Sequence, residues 1–211
     1  MKLRAADYEV RPIEGRGAPW QAARAFIAEH HYSGGCSRTA VYVHGLFRRG
    51  ECELLGVAMW LPPTKAAART VNRYNWRKVI SLSRLAVRSD VPSNAATFLM
   101  ARSIRLIRQD ARFVSLVTYA DEFRGHTGKI YLGANWTFVG IMDGTPRWED
   151  ASGRQVSNRS TISKTKAQME ALGCRMVGRF KKHKYVMHLK IQRKSIVLAN
   201  DNWLLWFAIA V

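Results

Sequence analysis

The sequence predicts a mixed α/β fold in a single domain spanning residues 1–211. Val79 to Val87 and Phe113 to Tyr119 read as strands, the second nearly continuous in apolar residues, with a helix from Ala95 to Arg108 between them. Strands buried on both faces and joined by a crossover helix form a parallel pair. Upstream, Trp20, Ala23, Phe26 and Ile27 recur at helical spacing directly after a β-patterned run. A length of 211 residues allows one sizeable core and is short for two.

The elements follow in order. Tyr8 to Ile13 predicts a first strand, and Gly15, Gly17 and Pro19 end it before the helix, which frays at His30-His31-Tyr32 where Ser33-Gly34-Gly35 begins. Ala40 to Phe47 and Cys52 to Leu61 predict a hairpin across Arg48-Arg49-Gly50-Glu51, and Pro62-Pro63 stops its second strand. The basic, aromatic stretch to Arg77 reads as a helix or an ordered excursion. After the βαβ unit, a short helix from Thr127 to Gly133 leads into a strand from Trp136 to Met142, closed by Gly144-Thr145-Pro146. Ser160 to Leu172 predicts a polar helix, and Arg175 to Phe180 and Lys184 to Leu189 two basic strands. Trp203 to Val211 is an apolar tail, far shorter than the ~20 residues that span a bilayer.

Charge restricts the partner. Lys and Arg number 34 against 15 Asp and Glu, a net +19. The basic residues are spread along a foldable chain instead of flanking one amphipathic or spanning helix, which predicts a nucleic-acid partner and no membrane. Three cysteines, Cys36, Cys52 and Cys174, without CxxC spacing predict a reduced, cytoplasmic protein. The oligomeric state is open, a dimer included.

Ligands of parallel sheets bind beyond the C-terminal ends of the strands, where Asp121, Glu122, Arg124 and His126 stand. Asp121 is thus a candidate base or ligand, with capping of the next turn or pairing to Arg124 as the plainer alternative. Gly125-His126-Thr127-Gly128 lacks Walker spacing and its Lys-Ser/Thr pair, which excludes an NTPase. Ser83 and Arg84 lie within a strand, so alternation sends one of them to the crevice. Arg84 then pairs with an acid such as Asp121 or awaits an anionic ligand. The run Arg179-Phe180-Lys181-Lys182-His183-Lys184-Tyr185 suits phosphates and base stacking, or is a solvated edge strand. Lys184 is its candidate substrate contact.

The element order resembles the GNAT acetyltransferase fold, a mixed, centrally splayed sheet flanked by helices. Lys129-Ile130-Tyr131-Leu132-Gly133-Ala134-Asn135-Trp136 is similar to that family's Tyr-bearing helix and following turn, and the resemblance implies Tyr131 as general acid. Between residues 24 and 145, His30-His31-Tyr32-Ser33, Ser83-Arg84-Leu85, Thr118-Tyr119-Ala120-Asp121, and Gly125-His126-Thr127-Gly128 with Ile130-Tyr131 and Asn135-Trp136 resemble the Mom family of phage DNA modification proteins. That resemblance implies transfer of a carbamoylmethyl group to the adenine N6 amine of double-stranded DNA, protection from host restriction, and an acid–base or iron site at His31, Tyr32 and Asp121, the plainer alternative being a capping histidine and two hydrogen-bonded core residues. It also implies base flipping, for which Tyr32, Trp60 and Tyr119 are candidate walls. Ser83, Arg84, Arg124, His126 and Lys184 are then candidate substrate contacts.

A CoA thioester donor would sit at Val87, Asn94 and Ala95, yet the turn from Arg88 to Ala96 lacks the glycines that usually cradle its pyrophosphate. Two other functions fit the same residues: a CoA-dependent N-acetyltransferase acting on an amine or protein, and a noncatalytic DNA-binding module.

Overall fold

The computed structural model describes residues 2–156 and 164–189. One eight-stranded sheet runs through it: β1 (Tyr8–Pro12), β2 (Tyr42–Arg48), β3 (Gly56–Leu61), β4 (Val79–Val87), β5 (Ser115–Asp121), β6 (Thr137–Glu149), β7 (Gln155–Val156) and β8 (Arg175–His188). Their spatial order is β1-β2-β3-β4-β5-β8-β6-β7. All neighbours are antiparallel except β4 and β5, which are parallel as the βαβ pattern requires.

Strict alternation sorts the sheet's two faces. Val43, Val57 and Met59 pack under α1 (Ala18–His30), and Val79, Val117 and Val186 pack with Ala68 of α2 (Lys65–Arg69). Leu46, Ala58, Trp60, Ile80, Leu82 and Leu116 point the other way, toward α3 (Ala95–Asp110) and α4 (Lys129–Leu132). Each helix buries the stripe its sequence announces: Trp20, Ala23, Phe26 and Ile27 in α1, and Ala95, Leu99, Met100, Ser103, Ile104 and Ile107 in α3. Pro19 in the first turn of α1 spends no hydrogen bond, since that N–H would lack a helical acceptor anyway.

Several expectations change. The strand from Trp136 does not stop at Gly144-Thr145-Pro146; β6 continues to Glu149 through register shifts against β8. A Cβ on Gly144 would come within 3.3 Å of the Arg179 backbone, so glycine allows this close passage. Arg175 to His188 forms one continuous strand, and from Lys182 to Val186 β8 lies between β5 and β6, so that part is no solvated edge. The hairpin strand β3 starts at Gly56, later than Cys52. The polar helix is shorter than predicted: α5 (Lys166–Ala171) opens on a Thr165–Gln168 capping box, while residues 157–163 lie outside the described residues, as does Trp203 to Val211. No described helix is long and apolar enough to cross a membrane. Cys36, Cys52 and Cys174 are free thiols.

A buried polar knot ties α3 to the sheet. Ser103, wholly buried, accepts the indole N–H of Trp60 at 2.6 Å and bonds Nδ1 of buried His44. Burial pulls the His44 pKa down to about 4, so it stays a neutral partner at neutral pH. Ser103→Ala would strand two buried polar groups at once. We expect a loss of about 2–4 kcal/mol in urea unfolding, against less than 1 kcal/mol for an exposed serine on the same fold.

Candidate active site

β4 and β5 are hydrogen-bonded only from Val79↔Ser115 to Ser81↔Val117. Beyond that β4 runs on to Val87 along β3, and β5 runs on to Asp121 along β8, so the sheet opens as a V. The Thr118 hydroxyl still reaches across to the Leu82 carbonyl at 3.2 Å. At that point β4 bulges: Leu82 faces Trp60 and Arg84 faces Met59, leaving Ser83 without an opposing residue. An extra residue in one strand bends it and re-aims its side chains. Of the Ser83-Arg84 pair, Ser83 is the one that turns into the opening.

The V holds a cleft of about 440 Å³, lined by His31, Tyr32, Ser83, Val87, His126 and Tyr131 among the predicted residues, with Thr118, Tyr119 and Ala96 beside them. The C-terminal end of α1 delivers His31 and Tyr32, whose rings lie 4.2 Å apart, and Tyr32 meets His126 edge-on at 5.4 Å. Ser33 donates its hydroxyl to the Gly35 carbonyl at 2.9 Å. His31 Nδ1 accepts the Ser33 amide at 3.2 Å and lies 2.8 Å from the same residue's hydroxyl oxygen. Burial, reinforced by the charges of Arg84, His126 and Arg124, lowers the His31 pKa to about 4, so the imidazole is neutral at pH 7.

Tyr131 stands at the base of the cleft, its ring 5.2 Å from that of Tyr185 and 5.9 Å from that of Trp136. Burial raises its pKa above the usual phenol value and a hydrogen bond with Thr118 offsets part of that rise, so the phenol keeps its proton. Gly128 fixes the approach to α4. It has φ +75°, and a Cβ there would fall 2.3 Å from the Tyr185 ring, whose hydroxyl donates to the Thr127 carbonyl at 2.7 Å.

Asp121 caps the turn after β5, accepting the Phe123 amide at 3.2 Å, and is ion-paired with Arg147. Both the capping role and the expected arginine partnership occur, but the arginine is neither Arg84 nor Arg124. Arg84 instead donates to the Gly35 carbonyl at 2.9 Å and to Ser83, has no carboxylate partner among the described residues, and remains available to an anion. Arg124 lies over the Tyr32 ring at 5.2 Å and bonds Gln155. Arg147, unmarked in the sequence, sits on the long extension of β6 that turn signals had seemed to end.

Other placements are corrected. Lys184 is buried on the α2 side of β8, away from Tyr131, with its ammonium on the Thr70 hydroxyl at 2.7 Å and its pKa lowered by desolvation. Trp60 is wholly buried beneath α3 and walls no cleft. Asn94 and Ala95 begin α3, but the Asn94 side chain accepts the Leu3 amide and the Ala95 amide bonds Pro92.

The chemistry of the donor set can be weighed against iron. Asp121 is engaged by Arg147, and Arg84 and Arg124 add positive charge around His31 and Tyr32. Such a setting repels a cation, and among the described residues no group of three or more His, Cys, Asp or Glu comes together to hold one. His31, Tyr32 and Asp121 as placed do not fit iron.

Residues 12–202 match the model of the Mom protein family. The chain belongs to that family. The methylcarbamoylase mom of Escherichia phage Mu is 30% identical over 128 residues, covering 58% of this chain and 52% of that protein. This Mom-family chain thus spans about half the length of that curated relative. Solved structures share its fold at far lower identity. The ribosomal-protein-S18-alanine N-acetyltransferase from Escherichia coli matches with a TM-score of 0.52 at 9% identity, over 90% of this chain and 98% of that one. An IAA acetyltransferase from Bacillus cereus gives 0.52 at 8% identity, over 86% and 99%. A GNAT family acetyltransferase from Elizabethkingia anophelis, solved with acetyl-CoA bound, gives 0.50 at 11% identity, over 87% and 99%. The GNAT-like fold expected from element order is therefore present.

The Asp121–Arg147 pair has side chains only 7% and 17% exposed. Arg147→Met should leave a buried carboxylate uncompensated and cost about 3–5 kcal/mol in chemical denaturation. Asp121→Asn combined with Arg147→Met should recover most of that loss.

Proposed function

We propose that this protein is a phage DNA modification enzyme that transfers a small carbamoylmethyl-type group to adenine N6 in double-stranded DNA, protecting that DNA from host restriction. The observation that carries the reading is the Mom family match across residues 12–202, joined to a cleft holding a neutral imidazole and a protonated phenol. A net charge of +19 supports the polyanionic substrate, and a relative named as a methylcarbamoylase supports the group transferred.

The chemistry needs three things from the chain. The N6 amine loses a proton as the new N–C bond forms, and the neutral His31 imidazole is the base that takes it. The leaving group gains a proton, and Tyr131 gives it. The adenine must leave the stack, and Tyr32, 43% exposed, with Tyr119 offers aromatic surface to receive it. Arg84, Arg124, Ser83 and His126 hold the anionic and polar groups of substrate or donor. Asp121 acts at one remove, through Arg147 and the turn it caps.

One place in the cleft suits an anionic group of the donor. Ala96 lines the cleft at the second position of α3, where backbone N–H groups lack intrahelical acceptors and favour negative charge. Val87 adjoins it. The turn before α3 contains no glycine, and Arg88 is bound to Asp90 and Glu53. These residues fit one anionic group and do not form a glycine-lined cradle for the pyrophosphate of coenzyme A, so no step here passes through that cofactor.

The test is mass spectrometry of nucleosides from plasmid DNA co-expressed with the protein in a host that supplies the donor. A mass increase on deoxyadenosine is expected, falling roughly hundred- to ten-thousand-fold in Tyr131→Phe. Unmodified adenosine throughout overturns the reading. Acetyl-CoA turnover without DNA would mark an N-acetyltransferase instead, and tight DNA binding with every nucleoside unchanged would mark a binding module. The pH profile follows from the two shifts. A base with pKa about 4 is lost only as pH falls through 4, and an acid above the ordinary tyrosine value survives to beyond about 10, so the rate should be flat between. The profile is read in kcat/KM, which reports the free enzyme, and a His31→Ala variant that keeps the wild-type rate and profile would remove His31 from the role of base.

A further inference from the structure

A second depression, of about 680 Å³, lies along α1 and is lined by Arg16, Trp20, Gln21, Arg24 and Arg38 with two alanines. No acid lines it; Glu14, the nearest acid in sequence to Arg16, lines a neighbouring hollow. Arg16 and Arg24 both stack on Trp20, at 4.7 and 4.9 Å from the ring centroid, so one indole holds two guanidinium groups in place. Arg16 also donates to the Arg38 carbonyl, which draws the third arginine in. None of the three has a carboxylate partner among the described residues, whereas Arg88, Arg112, Arg147 and Arg175 each have one. The Nε–H of Arg24 is shielded from solvent and finds no acceptor among the described residues, a desolvation that a neighbouring anion would offset.

The position of the depression sets the kind of anion. Gln21, Arg24, Ala25 and Ala28 form one helical stripe that continues to His31 and Tyr32 at the cleft. The connecting segment joins both places as well, since Gly35 binds Arg84 beside the cleft and Arg38 lines the depression three residues later. From Arg24 to His31 is seven residues, about 10 Å along the helix axis. That distance matches about three nucleotides of one strand, at roughly 3.4 Å each.

We propose that Arg16, Arg24 and Arg38, braced by Trp20, form a groove for the phosphodiester backbone of duplex DNA, about three nucleotides from the base in the cleft. Planar guanidinium forks grip phosphate oxygens two at a time, and an open trough admits a polymer where an enclosed pocket would admit only a small anion. The proposal rests on DNA as the substrate and gives the duplex its path over the protein.

The experiment is fluorescence anisotropy with a labelled duplex of about 24 base pairs, across about 50 to 200 mM salt, on the full chain. In the variant carrying Arg16→Gln, Arg24→Gln and Arg38→Gln, the slope of log affinity against log salt should shrink by about 2.7, or 0.9 for each lost phosphate contact. The corresponding triple lysine variant should keep the slope. Should the glutamine variant fail to fold, Arg38→Glu alone, at an exposed position, should shrink the slope by about 1. A slope and affinity like those of the wild type overturn the groove, as does a wild-type protein that binds single-stranded RNA in preference to duplex. Modified adenosine in cells together with unchanged variant binding would sink only the groove. Duplex binding through the groove in a protein that leaves adenosine unmodified would sink only the chemistry.

Discussion

Everything in the site depends on how briefly β4 and β5 stay together. Three residue pairs hold the strands, then the Ser83 bulge turns β4 toward β3 while β8 draws β5 the other way. A sheet that parts in its middle leaves backbone polar groups facing each other across a gap, and each must find a partner or remain wet. The Thr118 hydroxyl satisfies the Leu82 carbonyl at the apex, and the cleft begins beyond it. The opening is a consequence of strand pairing, which is why its lining comes from elements as distant in sequence as α1, β4, β5 and α4.

Within this opening, burial sets the state of His31 and Tyr131, and positive charge reinforces it at His31. Arg84 and Arg124 help keep His31 neutral, and Arg147 engages the buried Asp121. The imidazole next to these guanidinium groups is therefore free to accept a proton, while the carboxylate at the strand end, the more obvious base from position alone, is committed to structure. Tyr131 keeps its proton for a different reason, its burial among Tyr185, Trp136 and the core. Acid and base are thus set apart by two separate environments.

Local pattern made the βαβ unit legible: β4 falls at Val79–Val87 as expected, and the apolar stripe of α1 needed only Trp20, Ala23, Phe26 and Ile27. The cleft residues His31, Tyr32, Ser83, His126 and Tyr131 were legible because they sit beside strand ends and a helix end, which periodicity locates. Features made by distant pairing were hidden. Gly144 and Pro146 look like a stop, yet pairing with β8 carries β6 past them to Arg147, and with it to Asp121. Lys184 reads as an exposed cation until β8 is placed in the sheet interior. Trp60 likewise reads as a free aromatic until α3 is laid over it, and alternation alone does not say which of Ser83 and Arg84 lines the cleft.

Gly128 carries a consequence for the family's variation. Its missing side chain is the space into which the Tyr185 ring fits, and that ring in turn backs Tyr131. Positions 128 and 185 lie 57 residues apart in the chain, yet they share one volume. A lineage that acquires a side chain at 128 must shrink the residue at 185 and so loosen the phenol resting on it. The two positions should drift together or stay fixed together, and a pair that breaks the pattern would mark a branch whose phenol is held from another side.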